Sequence, residues 1–343
     1  MRAAVLHGKE DVRIEEIAVP GLKPGEVRIG IRAALTCGTD LKVFKRGYHA
    51  KMLVPPTVFG HELAGEIVEV TPEAAGRFAV GDRVVAANSA PCGRCFFCQA
   101  DQENLCDDLL FLNGAYAESI AVPARIVERN QLKLADETPF RDAALTEPLA
   151  CVVQGLHDLK LRSKERVLVI GAGPIGLMFV ALAKVADCHV TVAGRGENRL
   201  AKARQLGADL ILETPTMSAL PERMKAAGCV FDVVIEAVGQ PECWEAAMNA
   251  VRNGGRVNFF GGCPSGTTVS LDTTRIHYSN LTLLASFHHT PRAIREALRW
   301  IERGVVRATD FVDAGCALSA LPEHFRAMAA GNRAVKTFVD VSR

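Results

Sequence analysis

The chain of 343 residues lacks any charge imbalance: 40 Lys and Arg stand against 39 Asp and Glu. Without a basic excess, nothing draws it to nucleic acid or an anionic membrane, and no block of like charge marks a binding tail. The first residues, Met1-Arg2-Ala3-Ala4-Val5-Leu6-His7, lack the charged-then-apolar pattern of a secretory signal. Only Val167 to Ala183, which holds no charged residue, resembles a membrane span. Gly171, Gly173, Pro174 and Gly176 near its middle fit a strand, turn and helix better. Internal repeats and low-complexity segments are also lacking. These absences point to a globular protein that handles small molecules, with no nucleic acid and no membrane as partner; the pattern of its cysteines makes the cytoplasm the expected compartment. At 49% hydrophobic and 23% charged, it has ordinary globular usage. Its length suits two domains, with cores that need no disulfide staples.

Cysteine is not lacking. There are eleven, an odd number, in a chain too large to require a disulfide framework. Four fall in one short stretch: Cys92, Cys95, Cys98 and Cys106, spaced C-x2-C-x2-C-x7-C. Four thiolates at this spacing suit a closed tetrahedral zinc site that stiffens a loop. Spacing alone also allows an iron–sulfur cluster. A zinc ribbon binding nucleic acid would account for this lobe, but it calls for a basic face that the charge balance does not supply.

Residues 1–150 read as β-rich. Alternating runs such as Glu26–Ile31 and Gly65–Val70 are broken by turns at Pro24-Gly25 and Gly81-Asp82. From about residue 151 the texture changes. Apolar strands at Val167–Ile170, His189–Ala193, Val233–Ala237 and Arg256–Phe260 alternate with helix-like segments, which implies parallel βαβ units. Helix-like runs follow at Pro291–Arg303 and Pro322–Ala330, then a closing strand at Val335–Val341.

Gly171-Ala172-Gly173-Pro174-Ile175-Gly176 places G-x-G-x-x-G between the first of these strands and a helix. Gly171 makes the tight turn, Gly173 admits a pyrophosphate, and Gly176 allows close helix–strand packing; Pro174 and Ile175 open the helix whose N–H groups face the phosphates. An NAD site ends its second strand with a carboxylate for the ribose 2′-hydroxyl. Here Gly194 takes that place, followed by Arg195 and Arg199. A glycine leaves room for a 2′-phosphate, and two guanidinium groups can fork onto it, so NADP(H) is expected in preference to NAD(H). The alternative has both arginines solvated and Glu197 serving as a displaced NAD acid.

A catalytic zinc takes three protein ligands and keeps one position open. Cys37, His61, Glu62 and Glu147 are candidates by type, but no spacing rule assembles them. Taken together with the motifs above, however, Cys37-Gly38-Thr39-Asp40, Gly60-His61-Glu62, the cysteine lobe, Tyr116-Ala117-Glu118, Glu147-Pro148-Leu149 and Gly171–Gly176 in this order resemble the zinc-containing medium-chain dehydrogenases, sorbitol (L-iditol 2-) dehydrogenase-like branch. The resemblance spans the whole chain. It implies an α/β protein with a GroES-like β-rich catalytic domain over 1–150, including the structural-zinc lobe at 88–110. A Rossmann doubly wound domain follows over 151–286, and 287–343 return to the catalytic domain, with the active site in the cleft. It implies two zinc ions per chain and a homodimer or homotetramer acting on an alcohol or ketone. Cys37, His61 and Glu147 are the implied catalytic ligands, Glu62 a neighbour that can also ligate, and Thr39 the hydroxyl that relays the substrate proton. Zinc would stabilise the alkoxide while hydride leaves for the nicotinamide. A threonine or simple secondary-alcohol dehydrogenase using NAD, or a nucleotide-binding sensor on the same fold, are the alternative readings.

The sequence departs from that pattern at three places. Lys42 stands where many relatives carry a relay histidine, Phe287-His288-His289 where polyol enzymes carry an Arg-Tyr pair, and Gly194-Arg195 where the ribose carboxylate is usual. One of His288 and His289 is expected either to touch substrate or cofactor or to be hydrogen-bonded at a hinge.

Overall fold

Alternation in the first third of the chain becomes antiparallel sheet. In the strand Val27–Leu35, Ile29 and Ile31 are buried while Arg32 is exposed. The computed structural model describes residues 1–49, 51–331 and 334–342. By contacts the chain divides into two units, residues 1–150 with 289–343, and residues 151–288.

The first unit is built on a seven-stranded sheet. Val27–Leu35 pairs antiparallel with Glu62–Val70 on one side and with Thr337–Asp340 on the other. The closing strand lies beside one of the earliest, so residues far apart in sequence share one core. Helix Leu321–Ala329 seals the join: Phe325 stacks on Phe44 at 5.4 Å and meets Phe59 at 5.3 Å, all three fully buried. The short pair Ser89–Ala90 with Leu110–Phe111 closes the loop that carries the four clustered cysteines.

The second unit is a six-stranded, wholly parallel sheet. Its spatial order is Leu210–Glu213, His189–Gly194, Arg166–Ile170, Phe231–Glu236, Val251–Phe259, Thr282–Ala285. The chain builds outward from Arg166–Ile170 in one direction, then returns and builds in the other, which is the doubly wound Rossmann arrangement. Helix Pro174–Val185 is buried from Gly176 to Ala183, which explains the long stretch without charge. No helix among the described residues is long and apolar enough to cross a membrane. The two outermost strands, Leu210–Glu213 and Thr282–Ala285, carry no alternation and escape a reading by pattern.

Candidate active site

Three strand ends converge in the first unit. Leu35 pairs with Glu62 and with Phe338, so the exit of one strand meets the entries of two others. Cys37 follows the first strand, His61 and Glu62 open the second, and Lys336 precedes the third. Sheet register alone therefore assembles residues that no sequence spacing could. Ligand atoms of Cys37, His61 and Glu62 lie within 4.8 Å of one another.

Each member of this group is held from behind. Cys37 caps the helix Gly38–Arg46, its sulfur accepting the Thr39 N–H at 3.4 Å while Asp40 accepts the Cys37 N–H at 3.0 Å. Asp40 also pairs with His61 Nδ1 at 2.9 Å, which leaves Nε2 of that ring as the available donor atom. Burial works against a charged His61, but the Asp40 carboxylate more than reverses this and holds its pKa well above the ordinary value. Tyr116 donates its hydroxyl to Asp40 at 2.5 Å, and its ring lies against Gly60. A Cβ at Gly60, where φ is +90°, would stand 2.7 Å from that ring, so the Gly60-His61-Glu62 turn requires glycine.

Glu62 is completely buried and its two oxygens are treated differently. Oε2 accepts from Lys336 Nζ at 2.5 Å, and Lys336 donates also to the Thr36 carbonyl at 2.8 Å. Oε1 is buried with no hydrogen-bond partner among the described residues. A buried anionic oxygen left so is costly unless a cation meets it. Burial raises the Glu62 pKa despite Lys336, and burial pushes Glu147 up to about 7, against the pull of His61. A thiol, an imidazole nitrogen and an orphaned carboxylate oxygen are donor types that fit a zinc ion.

Glu147 is not part of that close trio. It lies in the first turn of helix Thr146–Leu159, buried, with His289 Nε2 at 3.8 Å from its Oε1. His289 is buried in the first unit and bonded to Asn88 Oδ1 at 2.9 Å. His288 belongs to the second unit and has a left-handed backbone, φ +63°. Thr39 is half-buried and Lys42 exposed on the same helix.

The lobe assembles its four cysteines tightly. Cys95 Sγ lies 3.5 Å from Cys98 Sγ and 3.8 Å from Cys106 Sγ, and Cys92 Sγ lies 4.0 Å from Cys98 Sγ. These spacings are close to the edge of a tetrahedral zinc–thiolate site, about 3.8 Å for zinc–sulfur bonds of about 2.3 Å. Backbone N–H groups of Cys92, Gly93 and Arg94 point at the sulfurs. The Arg94 N–H helps lower Cys92 to about 6, while burial pushes Cys98 up to about 12. Four neighbouring sulfurs cannot all ionise unless a cation joins them.

In the second unit, Gly171 turns with φ +110°, and a Cβ there would meet Val238 at 2.8 Å. A Cβ on Gly176 would stand 1.9 Å from the Gly171 carbonyl oxygen, whereas at Gly173 nothing lies within 4 Å. Gly173 caps helix Pro174–Val185 without a side-chain bond, with Pro174 and Ile175 in the first turn, so open space faces unshielded N–H groups. Gly194 is buried at the end of its strand; Arg195 and Glu197 are exposed and Arg199 half-buried in the helix after it.

Residues 23–131 match the alcohol dehydrogenase GroES-like domain family and residues 174–303 the zinc-binding dehydrogenase family. An erythritol/L-threitol dehydrogenase from Mycolicibacterium smegmatis is 31% identical, over 98% of this chain and 96% of its own length. An L-threonine 3-dehydrogenase from Coxiella burnetii is 34% identical over 77% of this chain and 78% of its own. The crystal structure of a zinc-binding dehydrogenase from Sinorhizobium meliloti bound to NADP superposes with a TM-score of 0.88, at 26% identity, covering 99% of this chain and 98% of that one.

This chain belongs to the zinc-containing medium-chain dehydrogenases.

As an alcohol or polyol dehydrogenase of that family, it carries supports that motif reading misses. Lys336 is the clearest. A lysine within the apolar run Val335-Lys336-Thr337-Phe338-Val339 is buried only when an acid meets it, and that signal was present in the sequence. Asn88 gave no such signal, because its partner His289 is brought to it by the fold alone.

Proposed function

We propose that this dehydrogenase oxidises the secondary hydroxyl of a small polyol and passes the hydride to NADP. The observation that carries the reading is the convergence of Cys37, His61 and the orphaned oxygen of Glu62 in one buried group. These three would hold the catalytic zinc, with Glu147 as a further carboxylate nearby. Zinc supplies Lewis-acid polarisation of the substrate oxygen when bound. Asp40 fixes the ring of His61 and Lys336 fixes Glu62, so the donors need no rearrangement. Thr39 is assigned the first step of proton relay, and Lys42 on the same helix stands where the relay would continue. Cys92, Cys95, Cys98 and Cys106 would hold a second, structural zinc.

Gly171, Gly173, Pro174, Ile175 and Gly176 are assigned to the pyrophosphate, and Gly194, Arg195 and Arg199 to a 2′-phosphate. The NADP bound by the Sinorhizobium meliloti relative supports this choice. None of the eleven cysteines is joined in a disulfide, which supports a reducing compartment such as the cytoplasm. A homodimer or homotetramer is assigned by family. The threonine dehydrogenase relative supports a second reading, oxidation of a β-hydroxy amino acid. Catalytic efficiencies for erythritol, threitol, sorbitol and L-threonine, each with NADP and NAD, test both. Polyol turnover with NADP is the expected result; a marked preference for L-threonine, or for NAD, would replace that part of the reading.

A further inference from the structure

Glu236 ends the strand Phe231–Glu236 and is completely buried, yet nothing in the chemistry above uses it. Its Oε1 accepts the N–H groups of Val238 at 2.8 Å and Gly239 at 2.9 Å. Its main-chain carbonyl accepts those of Phe260 at 3.0 Å and Gly261 at 2.9 Å. Oε2 is buried with no hydrogen-bond partner among the described residues. One residue thus ties two turns at the carboxyl ends of adjacent parallel strands.

Those turns stand where it matters. Glu236 pairs in register with Ile170, the last residue before the Gly171 turn, at the point where strand order reverses. In open parallel sheets ligands bind in the crevice beyond this point. Val238, 40% exposed, lies so close to Gly171 that a Cβ there would stand 2.8 Å from its Cγ2. A Cβ on Gly239 would stand 2.5 Å from the Gly262 carbonyl oxygen, and one on Gly261 2.3 Å from the Gly239 nitrogen. Three backbone turns therefore meet with no room for side chains. Glycine-rich turns have little stiffness of their own and need a fastener.

We propose that Glu236 is a positioning residue for the cofactor, holding the 237–239 turn against Gly171 so that the dinucleotide meets a preformed crevice. The inference rests on assigning Gly171–Gly176 to the dinucleotide. Without the pin, two N–H groups lose their acceptor, Val238 is released, and the ligand must order the turn as it binds. The role is geometric. A glutamine, whose carbonyl oxygen still accepts both N–H groups, preserves it; alanine does not.

The test measures NADPH and NADH binding by nucleotide fluorescence, together with amide exchange across 237–240, in wild type, Glu236→Ala and Glu236→Gln. Glu236→Ala should raise the Kd of the preferred cofactor about tenfold and its KM in parallel, with kcat at saturation nearly unchanged. Exchange at 238 and 239 should quicken, and Glu236→Gln should restore both readings to within about threefold. Wild-type affinity in a folded Glu236→Ala protein would overturn the proposal. So would cofactor loss or fast exchange in Glu236→Gln, the deciding variant if alanine prevents folding. Should wild type bind neither nucleotide, the cofactor assignment fails, while slow exchange that depends on Glu236 still upholds the pin; exchange indifferent to both substitutions overturns it.

Discussion

Single residues carry most of the chemistry, and their types were easier to read than their partners. Cys37, His61, Glu62 and Glu147 became candidate metal donors through the family resemblance, since singly each reads as structural, and which carboxylate joins the close group depends on sheet register, which sequence does not display. Because Glu62 offers an orphaned oxygen beside Cys37 and His61, Glu62→Gln should speed zinc loss to a chelator more than Glu147→Gln does. Metal retention in the two variants decides between them; the reverse order would make Glu147 the standing ligand. Arg195→Ala should raise the KM for NADP about tenfold and leave NAD nearly unchanged, since a charge-assisted pair contributes roughly 1.5–3 kcal/mol. An unchanged NADP constant would mean the exposed guanidinium faces solvent even with cofactor bound. Burial also sets a pH dependence at Glu236, whose carboxyl is pushed up to about 7 from an ordinary 4.5. The unfolded chain loses this proton first, so the contribution is complete below about pH 4.5 and is lost as pH rises through 7. Urea midpoints across that window should fall less steeply for Glu236→Gln than for wild type.

At the scale of elements, strongly patterned segments were legible and weakly patterned ones were not. Arg166–Ile170, His189–Gly194 and helix Pro291–Glu302 follow from apolar runs and helical spacing. Leu210–Glu213 and Thr282–Ala285 do not, because each is a short edge strand whose place is set by its neighbour rather than by its own alternation. The cysteine lobe is the opposite case. Its spacing announced it, and its only regular structure is short: the two-residue strand pair, helix Phe96–Gln99 and a single 3₁₀ turn at Glu103–Leu105. On the proposed structural zinc, an element with so little secondary structure would draw its order from the metal. Cys95→Ser should therefore remove one zinc per chain and open the lobe to proteolysis, with the Cys37 site still loaded. Elemental analysis alongside limited digestion checks this, and a digestion pattern like that of wild type would contradict it.

For the whole molecule, the change in texture near residue 151 was enough to read a β-rich part followed by a parallel α/β part. The return of the closing segment to the first part came from resemblance rather than pattern; its physical reason is the pairing of Thr337–Asp340 with Val27–Leu35 and the packing of Phe325 on Phe44. That return also delivers Lys336 and His289 to the site, so the central claim concerns the whole chain: it turns over a polyol through a metal held by the first unit. The direct measurement is the rate of NADP reduction with a polyol panel by zinc-loaded protein, before and after metal removal. The account predicts turnover of at least one polyol, lost on chelation and restored by zinc. Folded, zinc-loaded protein that binds cofactor but oxidises no polyol, or turnover indifferent to the metal, would contradict it.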